Sequence, residues 1–448
     1  MDVSQSKKEH LRELLREKFS VEDNAEILIL GLGMQGGGVG AARFFAQLGY
    51  RVIATDLRDK KALTSSLKTL SAYPITFVLG EHRFADIDRA SLIVKNPGIP
   101  AHSPFLEYAR KHKKRITNDA DLFLSLAPHE RIIGVTGTKG KTTTTMLIKH
   151  LLGPSALLVG TPGVSFFDYF FARREPRWIV GEFSSFDLEY IHQGPHMSVY
   201  TSLFSDHLNR YSSFAAYARA KSNLFRYQSS NDHAVLFRST LIKRHLPRLR
   251  AQISWVGEND IPQAAKLASW RIARPAIALA THVARTLNVS PTLIARRLRS
   301  FEAPHGRLEI VRKTKDMIFI NDTTSTNPGA ACYSLRRLYE QFHEKMPLTI
   351  IAGGDDKSLP EKEIKEYAML LKKYRVHVLL LPGPMTDKLK RHLPPKTPIV
   401  HSFNEAVAWF LIHQGVLALI PGAASFNMFL NEFDRAEHFI RAVKKQRV

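Results

Sequence analysis

The sequence contains a single cysteine, Cys332. One thiol cannot form a disulfide within the chain, and scarce cysteine is typical of reducing compartments. No uninterrupted apolar run reaches the roughly 18 residues that a helix needs to cross a bilayer. The first twenty residues carry charges throughout and have no apolar core of the kind found in secretory signals. These absences predict a soluble, cytoplasmic protein.

Acidic residues are scarce relative to basic ones, with 41 Asp and Glu against 64 Lys and Arg. The resulting net charge of +23 would attract nucleic acid, anionic lipid or anionic small molecules. The basic runs at 110–115 and 243–250 contain no interleaved aromatic residues. A solvated basic surface is therefore the preferred interpretation, and nucleic-acid binding the weaker alternative.

The composition of 44% hydrophobic and 23% charged residues is that of a globular protein, and 448 residues are too many for one ordinary core. Strand-length apolar runs alternate with helix-length segments, which predicts an α/β protein with parallel sheets. We expect three domains, with boundaries at 1–116, 117–306 and 307–448.

The first predicted domain follows a β-turn-α-β plan. After a short leading helix at about 9–19, an apolar strand enters a glycine-dense turn, and a second strand ends in an acidic residue, Asp56. Such an aspartate would suit the ribose of NAD as well as that of another nucleotide. The predicted elements are strands at 25–30, 51–56 and 92–94, and a helix at 39–48.

Two further α/β units follow along the chain. In the second, strands are predicted at 131–136, 156–159, 178–180 and 198–203, with helices at 143–152 and 271–280. In the third, which begins after Phe301, strands are predicted at 317–320, 348–352 and 376–381, each followed by a helical pattern.

The segment 134–142, Gly-Val-Thr-Gly-Thr-Lys-Gly-Lys-Thr, lies between a predicted strand and a predicted helix, as a phosphate loop requires. Its glycines let backbone N–H groups approach phosphate oxygens, and the following helix N-terminus adds positive potential. Lys141 can neutralise phosphate charge and Thr142 can bind Mg²⁺. The sequence therefore predicts an ATP site.

Glu182 and His207 each come just after a predicted strand, so they should emerge at the sheet edge where the phosphate loop opens. Taken singly, such residues are usually ordinary loop residues with hydrogen bonds. Beside an ATP loop they become candidate metal ligands.

The chain resembles the Mur ligases over nearly its whole length from about residue 25. The motifs that carry the resemblance occur in the family's order: GVTGTKGKT at 134–142, EFSSFDLE at 182–189, SDHLNRY at 205–211, YARAK at 217–221, GRLE at 306–309, INDTTSTNP at 320–328, GGDDKS at 353–358 and GAASFNMFLNEFDRAEHF at 422–439.

The resemblance implies an ATP-dependent, ADP-forming ligase that uses two Mg²⁺ ions and adds D-glutamate to UDP-N-acetylmuramoyl-L-alanine, and a monomer is expected. Lys141, Glu182, His207 and Lys221 would be catalytic, with Lys221 carrying a carbamate formed from CO₂. The metal ligands would be Thr142, Glu182, His207 and Lys221. The ATP-binding residues would be Gly137, Thr138, Lys139, Gly140, Lys141, Thr142, Thr143, Arg307 and Asp322.

The resemblance also assigns residues to the other two substrates. The UDP-substrate would contact Gly33, Met34, Gln35, Gly36, Asp56, Leu57, Arg58, Asn96 and Thr161. D-Glutamate would contact Thr326, Lys357, Ser425 and Phe433. It is the family context that favours a UDP-sugar over NAD in the first domain.

Thr324 stands where many members have lysine and Lys139 where many have asparagine, and two whole segments also depart from the family pattern. Members usually have His-Asn-x-x-Asn on a late helix of the central domain that helps hold the base, whereas this chain has Arg271-Ile-Ala-Arg-Pro275; Gly160-Thr-Pro-Gly163 stands where Gly-Asn-Ile-Gly is expected. Two alternatives therefore stay open: a Mur-type ligase with changed amino-acid or acceptor specificity, and a weakly catalytic basic binding protein.

Overall fold

The computed structural model describes residues 5–33, 36–261, 263, 270–356, 358–426 and 428–446. The chain divides into two compact units. Within the described part of the chain, no helix is both long and apolar enough to cross a membrane. The three predicted domain boundaries stay a prediction. The first unit comprises Met1–Leu203, Ala218–Ala265 and Arg274–Arg297, and the second comprises Phe204–Tyr217, Lys266–Ala273 and Leu298–Val448.

The first unit begins with a parallel five-stranded sheet in the order β3-β2-β1-β4-β5. This is the strand order of a dinucleotide-type half-fold, which confirms the predicted β-turn-α-β plan. The strands are β1 Glu26–Leu30, β2 Arg51–Asp56, β3 Ile75–Leu79, β4 Leu92–Lys95 and β5 Ile116–Thr117. The helices are α1 Gln5–Phe19, α2 Gly37–Gln47, α3 Thr64–Leu70, α4 Phe84–Arg89, α5 Pro104–Lys111 and α6 Asp119–Leu126.

A second, six-stranded sheet has the order β11-β10-β9-β6-β8-β7, and every strand pair is parallel, as predicted. Its strands are β6 Ile132–Thr136, β7 Ala156–Val159, β8 Trp178–Glu182, β9 Met197–Tyr200, β10 His233–Phe237 and β11 Gln252–Val256. The helices that follow along the chain are α7 Lys141–Leu152, α8 Phe214–Arg226, α9 Thr240–His245, α10 Arg274–Thr286 and α11 Pro291–Arg299.

Two predicted elements of this region were wrong in extent. The strand predicted at 198–203 ends at Tyr200, because Thr201 and Ser202 turn away to hydrogen-bond the glycine-rich loop. The helix predicted at 271–280 begins at Arg274. Pro275 lies in its first turn, where a missing N–H costs no hydrogen bond.

The third sheet, in the second unit, has the order β12-β13-β16-β14-β15. Side chains of strand β13 (Met317–Asn321) point alternately into two cores. Ile320 packs among residues of α12 (Pro328–Phe342) and α13 (Glu361–Lys373), whereas Phe319 packs with Phe410 and Phe439. The predicted third α/β unit is confirmed, with an antiparallel edge strand, β12, that was not predicted. The strands are β12 Glu309–Lys313, β13 Met317–Asn321, β14 Leu348–Gly353, β15 His377–Leu381 and β16 Gly415–Leu419. The helices are α12 Pro328–Phe342, α13 Glu361–Lys373, α14 Pro384–Lys390, α15 Phe403–His413 and α16 Glu432–Lys445.

Candidate active site

The glycine-rich loop between β6 and α7 is fastened to the residues that follow β9. Thr138 donates its backbone N–H to Ser202 O (2.8 Å), and Lys139 donates its own to Ser202 Oγ (2.9 Å). Ser202 Oγ and Thr201 Oγ1 donate to Lys139 O at 2.9 and 2.5 Å. The loop is thus held in shape by two hydroxyl side chains from the segment that follows β9. Sequence reasoning missed both, because a Thr-Ser pair after a strand forms no motif.

Gly137 is required at the point where this loop leaves β6. Its φ of 150° lies in the region that favours glycine, and a Cβ atom there would overlap Thr201 Oγ1 and lie 3.0 Å from Ser202 N. Its carbonyl oxygen accepts a hydrogen bond from Lys221 Nζ at 2.9 Å. The missing side chain therefore allows the loop to pack against the segment after β9.

Lys141 and Thr142 occupy the first turn of α7, directly after Gly140, whose φ is 85°. Lys141 Nζ donates to Thr138 O at 3.4 Å, so the lysine folds over the loop. The positive end of the helix dipole points the same way. Thr138 and Thr143 are buried beneath this surface. The arrangement has the backbone, charge and hydroxyl groups that a polyphosphate and its cation need.

Glu182 ends strand β8 beside the start of this loop, in register with Val135 of β6. The side chain is buried, and its Oε2 atom has no hydrogen-bond partner among the described residues. A buried carboxylate oxygen without a partner is costly, whereas a hard divalent cation would satisfy it. The residues here therefore fit the Mg²⁺ that the sequence predicts.

Lys221 lies on α8 with only 2% of its surface exposed. Its contact with Gly137 O joins the helix to the phosphate loop. A lysine ammonium cannot bind a metal ion, and the unmodified side chain acts here as a hydrogen-bond donor to the loop. The structure thus brings Lys221, Glu182 and the loop together at the carboxyl ends of β6 and β8.

His207 belongs to the second unit, in a segment fastened there by its neighbour Asp206. Asn327 donates Nδ2 to Asp206 Oδ2 at 3.1 Å, and its Oδ1 caps helix α12. His207 has a φ of 53° and a half-buried ring, with Nε2 3.9 Å from Asp206 Oδ2. Its predicted partnership with Lys221 stays a prediction.

Four of the residues predicted to bind the UDP-substrate meet at the carboxyl edge of the first sheet. Asp56 accepts the backbone N–H groups of Gly33 and Arg58, both at 2.9 Å. Gly31 has a φ of 90°, and a Cβ atom there would lie 2.9 Å from Asn96 Cβ. The aspartate therefore shapes the turn around its own carboxylate.

The other predicted UDP-substrate residues are distributed around this turn. Gly36 directly precedes α2. A Cβ atom on Gly36 would lie 4.0 Å from the carbonyl carbon of Gly163, which is two residues after the buried Thr161. Leu57 is 62% exposed, so its apolar side chain is available to a ligand. Met34 and Gln35 lie outside the described residues.

A buried ionisable cluster, which sequence reasoning missed, lies between the first and second sheets. Asn118 donates Nδ2 to Asp187 O at 2.8 Å, and Lys95 Nζ lies 3.4 Å from Glu189 Oε2. Burial, reinforced by repulsion from Asp187, raises the pKa of Asp119 to about 7. A Cβ atom added to Gly37 would lie 3.0 Å from Asp119 Oδ2. The carboxyl group of Asp119 therefore faces the start of α2.

The raised pKa of Asp119 predicts that the first unit loses stability as pH rises from about 4 to 7. Over that range the folded state retains a proton that the unfolded state has lost, so the free energy of unfolding falls by up to roughly 1.4 kcal/mol per pH unit. Above pH 7 the effect levels off. Asp119→Asn should flatten the dependence, as measured by urea unfolding at pH 5, 6, 7 and 8. Equal slopes for both proteins would refute the assignment.

In the second unit, Asp322 is buried and both of its carboxylate oxygens are used. Oδ1 accepts the N–H of Leu308 at 3.0 Å, and Oδ2 accepts the hydroxyl of Ser325. Burial raises the pKa of Asp322, while the Ser325 hydrogen bond opposes that rise. The contact holds the segment around Arg307, which is half-buried, beside the end of β13. The predicted ribose and phosphate contacts of these two residues stay predictions.

Three of the four residues predicted to bind D-glutamate, Thr326, Ser425 and Phe433, follow β13 and β16 along the chain. Thr326 is half-buried, Ser425 is buried, and Phe433 is 40% exposed. Lys357 lies outside the described residues. Gly422 donates its N–H to Ser325 O at 2.8 Å, which joins the loops that carry Thr326 and Ser425.

Arg435, which sequence reasoning missed, fixes these same loops from α16. Only 1% of it is exposed, and its guanidinium donates to Thr323 O (2.8 Å) and to the carbonyls of Ala423 and Ala424 (both 3.1 Å). Burial lowers the pKa of Arg435 to about 10, so it stays charged at neutral pH. The available signal was an arginine on the face of α16 that also carries Ala436 and Phe439.

Comparison with known proteins identifies the family. Residues 135–268 match the family model of the Mur ligase middle domain, and residues 25–118 match that of the Mur ligase MurD-like N-terminal domain. The chain is 34% identical to the UDP-N-acetylmuramoylalanine–D-glutamate ligase of Roseiflexus sp. (strain RS-1), over 93% of this chain and 98% of that protein. The chain belongs to the Mur ligase family. As members of this family do, it uses ATP and Mg²⁺ and acts as an ADP-forming ligase.

Other members agree in sequence and in fold. The corresponding ligase of Trichlorobacter lovleyi is 32% identical over 92% of this chain and 98% of its own length. Among solved Mur ligase structures, MurF from Acinetobacter baumannii aligns with a TM-score of 0.61 at 14% identity, covering 98% of both chains. The UDP-N-acetylmuramate-alanine ligase MurC from Thermotoga maritima aligns with a TM-score of 0.59 at 18% identity, over 94% of this chain and 99% of that one.

Proposed function

We propose that this Mur ligase joins D-glutamate to UDP-N-acetylmuramoyl-L-alanine and converts ATP to ADP and phosphate. The observation that carries the proposal is the 34% identity, over nearly the whole of both chains, to a ligase named for that acceptor and that amino acid. The turn that Asp56 shapes after β1 and the hydrogen-bonded glycine-rich loop support it.

The chemical problem is that a carboxylate is a poor electrophile at neutral pH. In the proposed reaction, a carboxylate oxygen of the L-alanyl end forms a bond to the γ-phosphorus of ATP while the bond to ADP breaks. The amine of D-glutamate then attacks the acyl carbon, the amine proton is lost, and inorganic phosphate leaves. The first step brings two anions together, and the second develops negative charge on a tetrahedral intermediate, so positioned positive charge lowers both barriers.

The phosphate loop would supply that charge. Lys141 stays folded over the loop and would neutralise the transferring phosphoryl group, while Ser202 holds the loop peptide in place. Thr142 and Glu182 would hold one Mg²⁺, and His207 and Lys221 a second. When bound, these ions would screen repulsion between the γ-phosphate and the incoming carboxylate.

A carbamate on Lys221 is part of this proposal. The neutral Nζ would add to CO₂ and lose a proton, which converts a cation that cannot bind metal into an anionic oxygen donor. The burial of Lys221 and its contact with the phosphate loop support the assignment, because they place its Nζ atom beside the loop that would bind the ATP phosphates.

Substrate recognition is assigned on the same basis. Gly33, Gly36, Asp56, Leu57, Arg58, Asn96 and Thr161, together with Met34 and Gln35, would bind the UDP-substrate. Thr326, Lys357, Ser425 and Phe433 would bind D-glutamate, because an acidic amino acid needs a cation and hydroxyl donors. Arg307 and Asp322 would contact ATP. The enzyme would act as a cytoplasmic monomer.

The proposal predicts phosphate release from ATP only when both UDP-N-acetylmuramoyl-L-alanine and D-glutamate are supplied. Phosphate release should be measured with the acceptor and, in turn, D-glutamate, L-glutamate, D-aspartate and L-lysine. We expect kcat/KM for D-glutamate to exceed that for the others by at least about 100-fold, since a site built for one set of polar contacts rejects ligands that leave them unmade.

Two results would change the interpretation. A preference for lysine or another amino acid would support a Mur ligase of changed specificity. Failure to turn over ATP with any of the four, together with salt-dependent retention on DNA, would support a basic binding protein instead.

A further inference from the structure

Three potential metal-binding side chains meet at the amino ends of strands in the second sheet, at the opposite end from the phosphate loop. His129 lies in the short turn before β6, His196 directly precedes β9, and Asp232 directly precedes β10. These strands are neighbours in a parallel sheet, and Met197 is in register with both Ile133 and His233. The pairing therefore places the starts of the three strands side by side.

The two histidine rings converge on one oxygen atom of Asp232. His129 Nε2 lies 2.7 Å and His196 Nδ1 lies 3.2 Å from the same atom, Asp232 Oδ1. One nitrogen of each ring and this oxygen all lie within 4.8 Å of one another. Among the described residues, this is the one group of three such side chains with that geometry.

Asp232 is held so that this oxygen must point at the histidines. Its side chain is 2% exposed, and its other oxygen, Oδ2, accepts both the N–H (2.7 Å) and the hydroxyl (2.9 Å) of Ser229. The carboxylate is thus oriented by hydrogen bonds to its far oxygen, in the way that partners outside the coordination sphere orient metal ligands.

We propose that His129, His196 and Asp232 form a binding site for a zinc ion. Zinc takes nitrogen ligands at about 2.0–2.1 Å and carboxylate oxygen at about 2.0–2.2 Å in a tetrahedron, which sets neighbouring ligands about 3.3 Å apart. The two nitrogen-to-oxygen separations need to change by only fractions of an ångström to reach that value. The side chains of His129 and His196 are 44% and 26% exposed, which leaves a fourth position open to water.

A zinc ion here would have a structural effect, separate from the ligase reaction. It would cross-link the starts of β6, β9 and β10, which come from distant parts of the chain. The phosphate loop lies at the other end of β6, roughly 16 Å away at about 3.3 Å per residue. Zinc should therefore raise the thermal stability of the first unit without being needed for turnover.

The test is zinc titration of the full-length protein by calorimetry, after treatment with a chelator and in excess Mg²⁺, which occupies hard-cation sites. We expect one zinc ion per chain and a rise in Tm of roughly 3–8 °C at saturation. His129→Ala should weaken zinc binding by at least about 100-fold and abolish the rise in Tm. His129 is half-exposed, so this variant should fold.

His192→Ala is the matched control, because His192 Nδ1 lies 3.2 Å from Asp121 Oδ1 in the same unit but without a second histidine described beside it. It should bind zinc as the wild type does. Cobalt substitution should give visible d–d absorption in the wild type that is lost in His129→Ala. No zinc binding by the wild type in excess Mg²⁺, or equal affinity in the wild type and His129→Ala, would overturn the proposal.

Discussion

Replacing Lys141 by alanine is expected to lower kcat for phosphate release by 10²-fold to 10³-fold or more. Lys141 begins α7 and folds over the loop to reach Thr138 O, where its charge would meet the transferring phosphoryl group. Removing one positioned group that stabilises charge in the transition state costs about that much in other enzymes. The measurement is steady-state phosphate release with both substrates present.

Lys149→Ala is the matched control for this experiment, since Lys149 lies in the last turn of the same helix. That variant should keep near-normal turnover, and both variants should unfold at the same urea concentration as the wild type, because neither lysine is fully buried. A Lys141→Ala enzyme within about threefold of the wild type would rule out the assigned role.

Replacing Lys221 by alanine is expected to abolish measurable turnover, and added acetate should restore part of it. If Lys221 acts as a carbamate, the variant lacks an anionic oxygen donor that a small carboxylate can replace in the space left by the side chain. Lys221→Arg should stay inactive, because arginine retains a cation but cannot form a carbamate under these conditions. Phosphate release is measured against acetate concentration for each variant.

The structural contact of Lys221 must be separated from its chemical role. Its hydrogen bond to Gly137 O would be lost in the alanine variant and could be replaced by arginine. Activity in Lys221→Arg without any acetate rescue of Lys221→Ala would therefore indicate a positioning role and refute the carbamate. Arg219→Ala, an exposed change on the same helix, should be active throughout.

The phosphate loop could be predicted from sequence because its chemistry is carried by consecutive residues. Segment 134–142 contains the strand end, the glycines, the lysine and the threonine in one stretch, and local context was enough to interpret them. The same holds for the first sheet, where each predicted strand was found within a residue or two.

The contacts that hold the site together could not be predicted in this way. Ser202 fastens a loop more than sixty positions earlier, and Arg435 reaches Thr323 across 112 residues. Asp119 and Asp187 are ordinary acidic residues in the sequence. Their carboxyl groups repel each other only because the fold buries them close together. Such pairings depend on tertiary packing, which no local pattern encodes.

The cluster of His129, His196 and Asp232 could not be predicted from the sequence either. Its members are separated by 103 and 36 residues, far from any metal-binding spacing that sequence reasoning uses. Only the strand order of the sheet brings them together. In a parallel sheet, residues meet both at the amino ends and at the carboxyl ends of the strands. Sequence reasoning considered only the carboxyl ends.

The double contact of Ser202 with Lys139 fixes one residue of the phosphate loop on both sides, through its N–H and through its carbonyl. A peptide immobilised by the protein itself has little conformational entropy left to lose when a ligand arrives. More of the energy gained from phosphate contacts then appears as affinity. The hydroxyl groups of Thr201 and Ser202, two residues that belong to no motif, thus help to make the loop a preorganised receptor rather than one that must order itself in every catalytic cycle.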